Sequence, residues 1–188
     1  MIKMKNVVGH LKTVLTHKKW VFYYCCQFGI PFRGLVHDLS KFSPTEFLES
    51  AKYYSGKRSP IDVCKEKNGY SAAWMHHKSH NKHHYEYWQD NFDKGGVPVQ
   101  MPFKNALELV CDYLGAGKAY MKDDFSFVGE YKWWENKNKN PIAMHRQTWL
   151  FVDMMLAALR DGEAIMDIKY AKLIYKKAET RYKEETVS

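Results

Sequence analysis

GLVHDLSKFSPTEF, residues 34–47, sets a histidine directly beside an aspartate, His37-Asp38, just before the start of another predicted helix. The segment Ser43-Pro44-Thr45-Glu46 has the form of a capping box, in which the serine caps the helix and the glutamate reaches back to the cap. Capping alone therefore accounts for the second half of the stretch. The His37-Asp38 pair is either a metal-binding doublet or two polar residues late in a short helix that begins at Pro31.

Helical patterns continue on both sides of this stretch. Apolar residues at helical spacing predict longer helices over residues 6–28, 71–88, 102–121, 145–159 and 167–182. Residues 90–102 are interpreted as a loop, and residues 122–141 as irregular with one helical turn near 131–134. No segment alternates with period two. The sequence thus predicts an all-α bundle with a single domain over residues 1–165, followed by a basic C-terminal helix and tail over residues 166–188.

Composition limits the class of protein. The formal net charge of +8 favours an anionic partner, although a lysine-rich surface in water gives the same charge. No run of about 18 uncharged apolar residues is present, so we expect no membrane span. The N-terminal stretch is interrupted by charge and lacks the pattern of a signal peptide. The four cysteines form neither a disulfide pattern nor a CxxC zinc site, and we expect a cytoplasmic protein.

Five of the nine histidines lie in HHKSHNKHH, residues 76–84. Neutral imidazole is a common ligand of Zn²⁺, Fe, Mn and Ni, whereas the alternative is a polar helix face in water. On one continuous helix, His77, His80 and His84 share a face, and His76, His80 and His83 share a neighbouring face. Only part of either set can then serve one ion. The remaining histidines could bind a second ion, contact a substrate phosphate or donate protons.

Three further residues extend the set of candidate ligands. His10 and His17 share a helix face but lie about 10 Å apart along the axis, so they cannot easily bind one ion. A hairpin across residues 29–31 brings His37 nearer to His17, which favours His17 as the ligand and His10 as an outer ligand, a substrate contact or a supporting group. Asp112 lies in an apolar helix, where an unpaired charge is costly, so it is either paired with a metal or exposed on a polar side.

In chain order these residues resemble the HD-domain superfamily of metal-dependent phosphohydrolases. HDLSK, at 37–41, is similar to the HDIGK core of that superfamily, and LVCDYLGAG, at 109–117, is similar to the helix that carries its final aspartate. The resemblance spans about residues 10–115. The strings HDLSKFSPTEF and HHxxxNxHHYEYW are more closely similar to an uncharacterised family of bacterial and phage proteins that has no established reaction.

The resemblance implies an HD-like bundle with one or two divalent transition-metal ions between its helices, with Fe, Mn, Zn and Ni not distinguished. It implies that Asp38 can bridge two ions and that Asp112 closes the site. It also implies that His17 or His10 takes the position of the first histidine. The complete implied set of metal ligands is His10, His17, His37, Asp38, His77, His83, His84 and Asp112.

The implied reaction is hydrolysis of a phosphoester or nucleotide by a metal-activated water, so the expected partner is an anionic, phosphate-containing small molecule. Asp38 would hold the metal, Lys41 would hold the phosphate or else be a solvated surface lysine, and an unligated His80 would donate a proton. One alternative is an HD-type di-iron oxygenase. Another is a protein without catalytic activity that binds metal, or that binds nucleic acid through its tyrosines, tryptophans and basic surface.

Overall fold

The computed structural model describes residues 2–187, and this part of the chain forms nine α-helices. They are α1 (Met4–Gln27), α2 (Pro31–Val36), α3 (Pro44–Tyr53), α4 (Pro60–Asn68), α5 (Ala72–His80), α6 (Phe103–Met121), α7 (Phe127–Lys137), α8 (Arg146–Arg160) and α9 (Ile168–Val187). Two short strands, β1 (Gln89–Asp90) and β2 (Val97–Pro98), pair antiparallel within the predicted loop. The prediction of a single all-α domain is confirmed.

Helix α6 runs through the centre of the molecule. Its residues from Asn105 to Gly115 are all buried, and it contacts α1, α7, α8 and α9. The apolar core around it includes Val21 and Phe28 of α1, Trp134 of α7 and Phe151 of α8. Because α6 is buried on every side, its few polar residues need partners inside the protein.

A second, smaller layer consists of α3, α4 and α5. Helix α3 packs against α1, α4 and α5, and a 3₁₀ turn over Leu39–Phe42 contacts both α3 and α5. This layer covers the side of α1 and α6 on which the His37-Asp38 turn lies. It therefore closes a space between two helical layers.

The C-terminal helix packs against the bundle. Ala171, Ile174 and Ala178 of α9 are buried and belong to the same apolar core as α6 and α8. The division of the chain at residue 165 stays a prediction. None of the helices within residues 2–187 has the length and hydrophobicity needed to cross a bilayer.

Two predicted helices end earlier than their patterns indicate. Helix α2 ends at Val36, so the His37-Asp38 pair lies in a turn instead of late in a helix. Helix α5 ends at His80, because the side-chain amide of Asn81 donates to the His77 carbonyl at 2.8 Å and to Ser40 Oγ at 2.7 Å. The chain then turns back, which changes the directions of the histidines that follow.

The segment interpreted as irregular contains a complete helix, α7. Ser126 caps this helix by accepting from the Gly129 N–H at 3.0 Å, and Trp134 is fully buried in the core. Its neighbour Trp133 is 43% exposed. Two adjacent tryptophans, one buried and one partly exposed, hide the helical period in the sequence, and this accounts for the wrong prediction.

Candidate metal centre

The His37-Asp38 turn is held in an uncommon backbone conformation. Asp38 has φ 55° and ψ 28°, the left-handed region that few residues other than glycine adopt. Lys18 of α1 holds the turn from behind, since its Nζ donates to the carbonyl oxygens of Leu35 at 2.7 Å and His37 at 2.6 Å. Both side chains of the pair consequently point into the space between the layers, where they are almost completely buried.

A first group of possible ligands comes from α1, the turn and α6. Asp112 Oδ1 lies 3.0 Å from His17 Nε2 and 3.3 Å from His37 Nε2. Asp38 Oδ2 lies 3.5 Å and 3.3 Å from the same two nitrogens. All four side chains are buried, and each offers one ligand atom within 4.8 Å of the others. This group could hold a metal ion, and we call it metal site 1: His17, His37, Asp38 and Asp112.

A second group lies on the other side of the same aspartate. Asp38 Oδ1 is 3.4 Å from His77 Nε2 and 3.3 Å from His83 Nε2. His84 Nε2 is 2.9 Å from His77 Nε2. These four residues also bring one ligand atom each within 4.8 Å of the others, and they are metal site 2: Asp38, His77, His83 and His84. The two oxygens of Asp38 thus face two separate sets of imidazole nitrogens.

The histidines turn Nε2 toward Asp38 and place Nδ1 against other carboxylates. His37 Nδ1 lies 3.0 Å from Glu108 Oε1, and His83 Nδ1 lies 3.4 Å from the same oxygen. His77 Nδ1 lies 2.7 Å from Glu46 Oε2. A histidine that donates its Nδ1 proton keeps a lone pair on Nε2, which is the usual arrangement of histidines that bind metal. The Nε2 atoms of His77 and His84, 2.9 Å apart, form a hydrogen bond when His84 carries its proton on Nε2, and they offer two lone pairs to one cation when it carries the proton on Nδ1.

The charges of the site favour a cation at its centre. Burial raises the pKa of Asp38, but the positive charges of His37 and Lys41 outweigh it and hold that pKa well below the usual range. Burial also raises the pKa of Asp112, but His17 and His37 outweigh it and hold that pKa well below its usual range. Burial and, secondly, the charge of His83 hold the pKa of His84 well below its usual range. Burial lowers the pKa of His37, but Asp38, Asp112 and Glu108 outweigh it and hold that pKa well above its usual value, so a proton on His37 supplies part of the positive charge at the centre. Carboxylates and imidazoles that can exchange such a proton for a cation are a donor set suited to divalent transition metals.

Several of the inward-facing atoms make no hydrogen bond of good geometry, although a carboxylate oxygen or an imidazole nitrogen lies 3.0–3.5 Å from each of them. They are His17 Nε2, His37 Nε2, His83 Nε2 and Asp38 Oδ1, all of them buried. Buried polar atoms nearly always make hydrogen bonds, so several that lack a well-directed hydrogen bond in one place call for an explanation. A metal ion bound by those same atoms provides one, and the residues present therefore fit a metal.

The profile of a family described as a family of unknown function (DUF5662) matches residues 6–158. The chain belongs to the DUF5662 family. The matched range runs from α1 into α8 and includes all seven residues of metal sites 1 and 2. Neither the curated proteins nor the solved structures contain a match to the chain.

Two predicted residues of this DUF5662 protein lie outside both metal sites. His10 is buried with its ring 5.1 Å from that of Phe47, and burial lowers its pKa to about 4. It is therefore neutral near pH 7, and its role as an outer ligand, a substrate contact or a supporting group stays a prediction. His80 is exposed and stacked on His76, and its Nδ1–H donates to the His76 carbonyl. Its role as a proton donor stays a prediction.

Lys41 lies beside the metal sites. Its ammonium group contacts Asp38 Oδ2, and Lys41 also borders a cavity of about 100 Å³ that reaches His17. We call this the inner cavity; it is lined by His10, Thr13, Val14, His17, Lys41, Glu46, Ser50, Ser59, Pro60, Ile61, Ala73 and Tyr120. At about 30 Å³ per water molecule it has room for about three waters or one small anion.

Two buried glutamates support the histidines, and neither is among the predicted site residues. Glu108 contacts His37 and His83 and is paired with Arg33 Nη1 at 2.6 Å. It lies one helical turn before Asp112 on α6, and that spacing is visible in the sequence. Glu46 contacts His76 and His77 instead of reaching back to its helix cap, so the predicted capping box is only half correct.

Proposed function

We propose that this protein is a cytoplasmic, metal-dependent hydrolase of phosphoesters, with an HD-like site that binds two divalent ions on either side of Asp38. The observation that carries the proposal is the arrangement of Asp38, whose two oxygens face two sets of imidazole nitrogens while a lysine contacts one of those oxygens. The four free cysteines support the location, and the charge of +8 supports an anionic substrate.

Divalent ions in such a site supply Lewis acidity and an activated water for attack on phosphorus. The protein's own residues prepare the place where the phosphoryl group binds. Lys41 presents a fixed positive charge to the inner cavity, where it stabilises negative charge on phosphoryl oxygens. The hydroxyl groups of Ser50 and Ser59 line the same cavity and can donate to those oxygens, whereas the Thr13 hydroxyl already donates to the Gly9 carbonyl.

The histidines need fixed orientations for this role. Glu108 and Glu46 accept from the Nδ1–H groups of His37, His83 and His77, so the lone pairs on Nε2 stay directed at the centre. Burial of the whole set excludes competing water from these contacts. Neutral His10, on the wall of the inner cavity, can hydrogen-bond to a substrate oxygen.

Metal analysis tests the proposal. Untagged protein, purified without chelator, should contain close to two transition-metal ions per chain or gain them on reconstitution. His37→Ala and Asp38→Ala should lose most of this metal, whereas His80→Ala, which removes an exposed histidine, should keep it. The loaded wild-type protein should hydrolyse p-nitrophenyl phosphate or bis(p-nitrophenyl) phosphate, and the two metal-free variants should not. Wild-type protein that takes up no stoichiometric metal would contradict the proposal.

A di-iron oxygenase is the second candidate, and the ligand set supports it. Five of the seven residues in metal sites 1 and 2 are histidines, a nitrogen-rich set that also suits iron chemistry with O₂. Purified protein that contains iron, gives a mixed-valence electron paramagnetic resonance signal and leaves phosphoesters intact would favour this candidate. Phosphoester hydrolysis with Mn²⁺ or Zn²⁺ alone would exclude it.

A further inference from the structure

A larger cavity adjoins the inner cavity. It has a volume of about 530 Å³ and lies between the C-terminal half of α6, the start of α7 and residues 57–62. This is the size of a pocket that encloses a small organic molecule. We call it the outer cavity; its aromatic lining consists of Tyr113, Tyr120, Phe125 and Trp133.

The two cavities share part of their walls. Ser59 and Tyr120 line both of them, so they adjoin at these two side chains. Helix α6 runs from one to the other, with Asp112 at metal site 1 and Ala116 in the wall of the outer cavity. These two residues are one helical turn apart, about 6 Å along the axis. A molecule that reaches from one cavity to the other must therefore pass Ser59 and Tyr120.

The outer cavity combines flat apolar walls with a few buried polar groups. The Tyr113 hydroxyl is buried without a hydrogen-bond partner, in a residue that is 8% exposed. The Glu130 carboxyl group is also buried, and it approaches α6 closely because position 117 is glycine: a methyl group there would lie 2.0 Å from Glu130 Oε2. Aromatic walls favour stacking on a flat ring, and the polar groups favour a ring with polar atoms at its edge.

We propose that the outer cavity binds the organic part of the substrate, and that this part is a flat aromatic ring whose attached phosphoryl group lies in the inner cavity. This inference rests on the proposed function and adds the substrate class to it. Ala116, Gly117 and Trp133 line the outer cavity and would contact the ring. The substrate class is thus an aromatic phosphoester.

Two phosphonates test the inference, because their P–C bond resists hydrolysis and they differ only in the ring. We expect the metal-loaded protein to bind (1-naphthylmethyl)phosphonate about tenfold or more tightly than methylphosphonate in calorimetric titrations. Ala116→Phe, which fills part of the outer cavity, should abolish this preference, so that the two phosphonates bind with equal affinity. Ala119→Phe adds the same volume to α6 at a residue that does not line the cavity, and it should keep the preference.

A second variant covers the case in which Ala116→Phe fails to fold, as judged by circular dichroism. Trp133→Ala removes a wall from a half-exposed position and should reduce the preference for the naphthyl compound several-fold. The inference would be overturned if wild-type protein bound the two phosphonates with equal affinity, or if the preference survived both substitutions. In either case, metal-dependent binding of methylphosphonate would still support the proposed function. Absence of any metal-dependent phosphonate binding would overturn both.

Discussion

At the scale of single residues, Asp38 organises the site. Its left-handed backbone conformation costs free energy that an ordinary turn would avoid, and Lys18 and Lys41 hold the residue in place from two sides. In return, one carboxylate contacts His37 and His17 with one oxygen and His77 and His83 with the other. Strain at such a position is typical of a functional residue.

Glu108 is expected to set the metal affinity because it orients His37 and His83, and with these two histidines it also forms a third buried group that could hold an ion. Glu108→Gln keeps the shape of the side chain but weakens its hydrogen bonds with His37 and His83 and its ion pair with Arg33. We expect metal affinity to fall about 10- to 100-fold, as found for groups that orient metal-binding histidines. Competition with a chromogenic chelator measures this change. Glu66→Gln, an exposed glutamate paired with Arg58, is the control and should bind metal normally.

Glu130 is expected to make stability depend on pH. Burial and, secondly, the charge of Asp112 raise its pKa from 4.5 to about 7. Between these values the folded protein holds a proton that the unfolded chain releases, so this group lowers the free energy of unfolding as pH rises from about 4.5 to 7. Glu130→Gln removes the effect and should stabilise the protein at pH 8 by about 1–3 kcal/mol.

Urea unfolding at pH 5 and pH 8 measures this difference. The gain from Glu130→Gln should be large at pH 8 and much smaller at pH 5, where the folded wild-type carboxyl group is already protonated. Glu179→Gln, at an exposed position on α9, is the control and should show no comparable dependence. An equal effect of Glu130→Gln at both pH values would contradict the assignment.

At the scale of elements, the sequence predicts where helices begin better than where they end. The Ser43 cap of α3 is recognisable because serine and proline have local backbone preferences, and the cap bond is present. The end of α5 at Asn81 depends on Ser40, 41 residues away, and no local pattern contains that contact. Because α5 ends there, the chain turns back and brings His83 and His84 to His77, whereas a continuous helix would separate these residues. The sequence pattern could therefore not predict this meeting.

Some site residues can likewise be identified from local sequence patterns, whereas others depend on contacts that only the folded structure shows. His17 could be preferred over His10 because helix geometry excludes both from one ion, and the structure brings His17 to within 3.0 Å of Asp112. Glu108 could have been found from its spacing to Asp112 on one helix face. Glu46 could not, because its position after Ser43 fits a capping role equally well until the contact with His77 is known.

Close packing of α1 on α6 is expected to fix metal site 1. A methyl group at Gly115 would lie 2.5 Å from Val21 Cγ2 and 2.9 Å from Val21 N, so Gly115→Ala must push the helices apart. His17 and Asp112 lie one turn before these two residues, and their 3.0 Å contact would lengthen. We expect a loss of stability of about 1–3 kcal/mol.

Thermal unfolding and metal titration check both consequences. Gly115→Ala should melt at a lower temperature and bind metal more weakly than wild type. Gly129→Ala in α7 is the matched control, because a methyl group there meets only Ser126 Oγ at 3.2 Å. A Gly115→Ala protein that is destabilised but binds metal normally would show that this packing does not position His17.

At the scale of the whole molecule, the site joins the two helical layers. Its ligands come from α1, α5, α6 and the turns after α2 and α5, so segments far apart in the chain meet at Asp38. The apolar core around α6 does not depend on these contacts. The protein should therefore fold without metal, but the layer of α3, α4 and α5 should be held less firmly.

Metal removal is accordingly expected to lower the melting temperature without abolishing the fold. At a free metal concentration about 1,000 times the dissociation constant, binding to the folded state adds about 4 kcal/mol, or about 8–16 °C for a chain of this size. Calorimetry of chelator-treated and Mn²⁺- or Zn²⁺-loaded protein measures the shift. His80→Ala should keep it, whereas Asp38→Ala should lose it, since this one change removes a ligand from both metal sites. Identical melting of loaded and chelator-treated wild-type protein would show that the buried histidines and carboxylates stabilise the fold by pairing with one another alone.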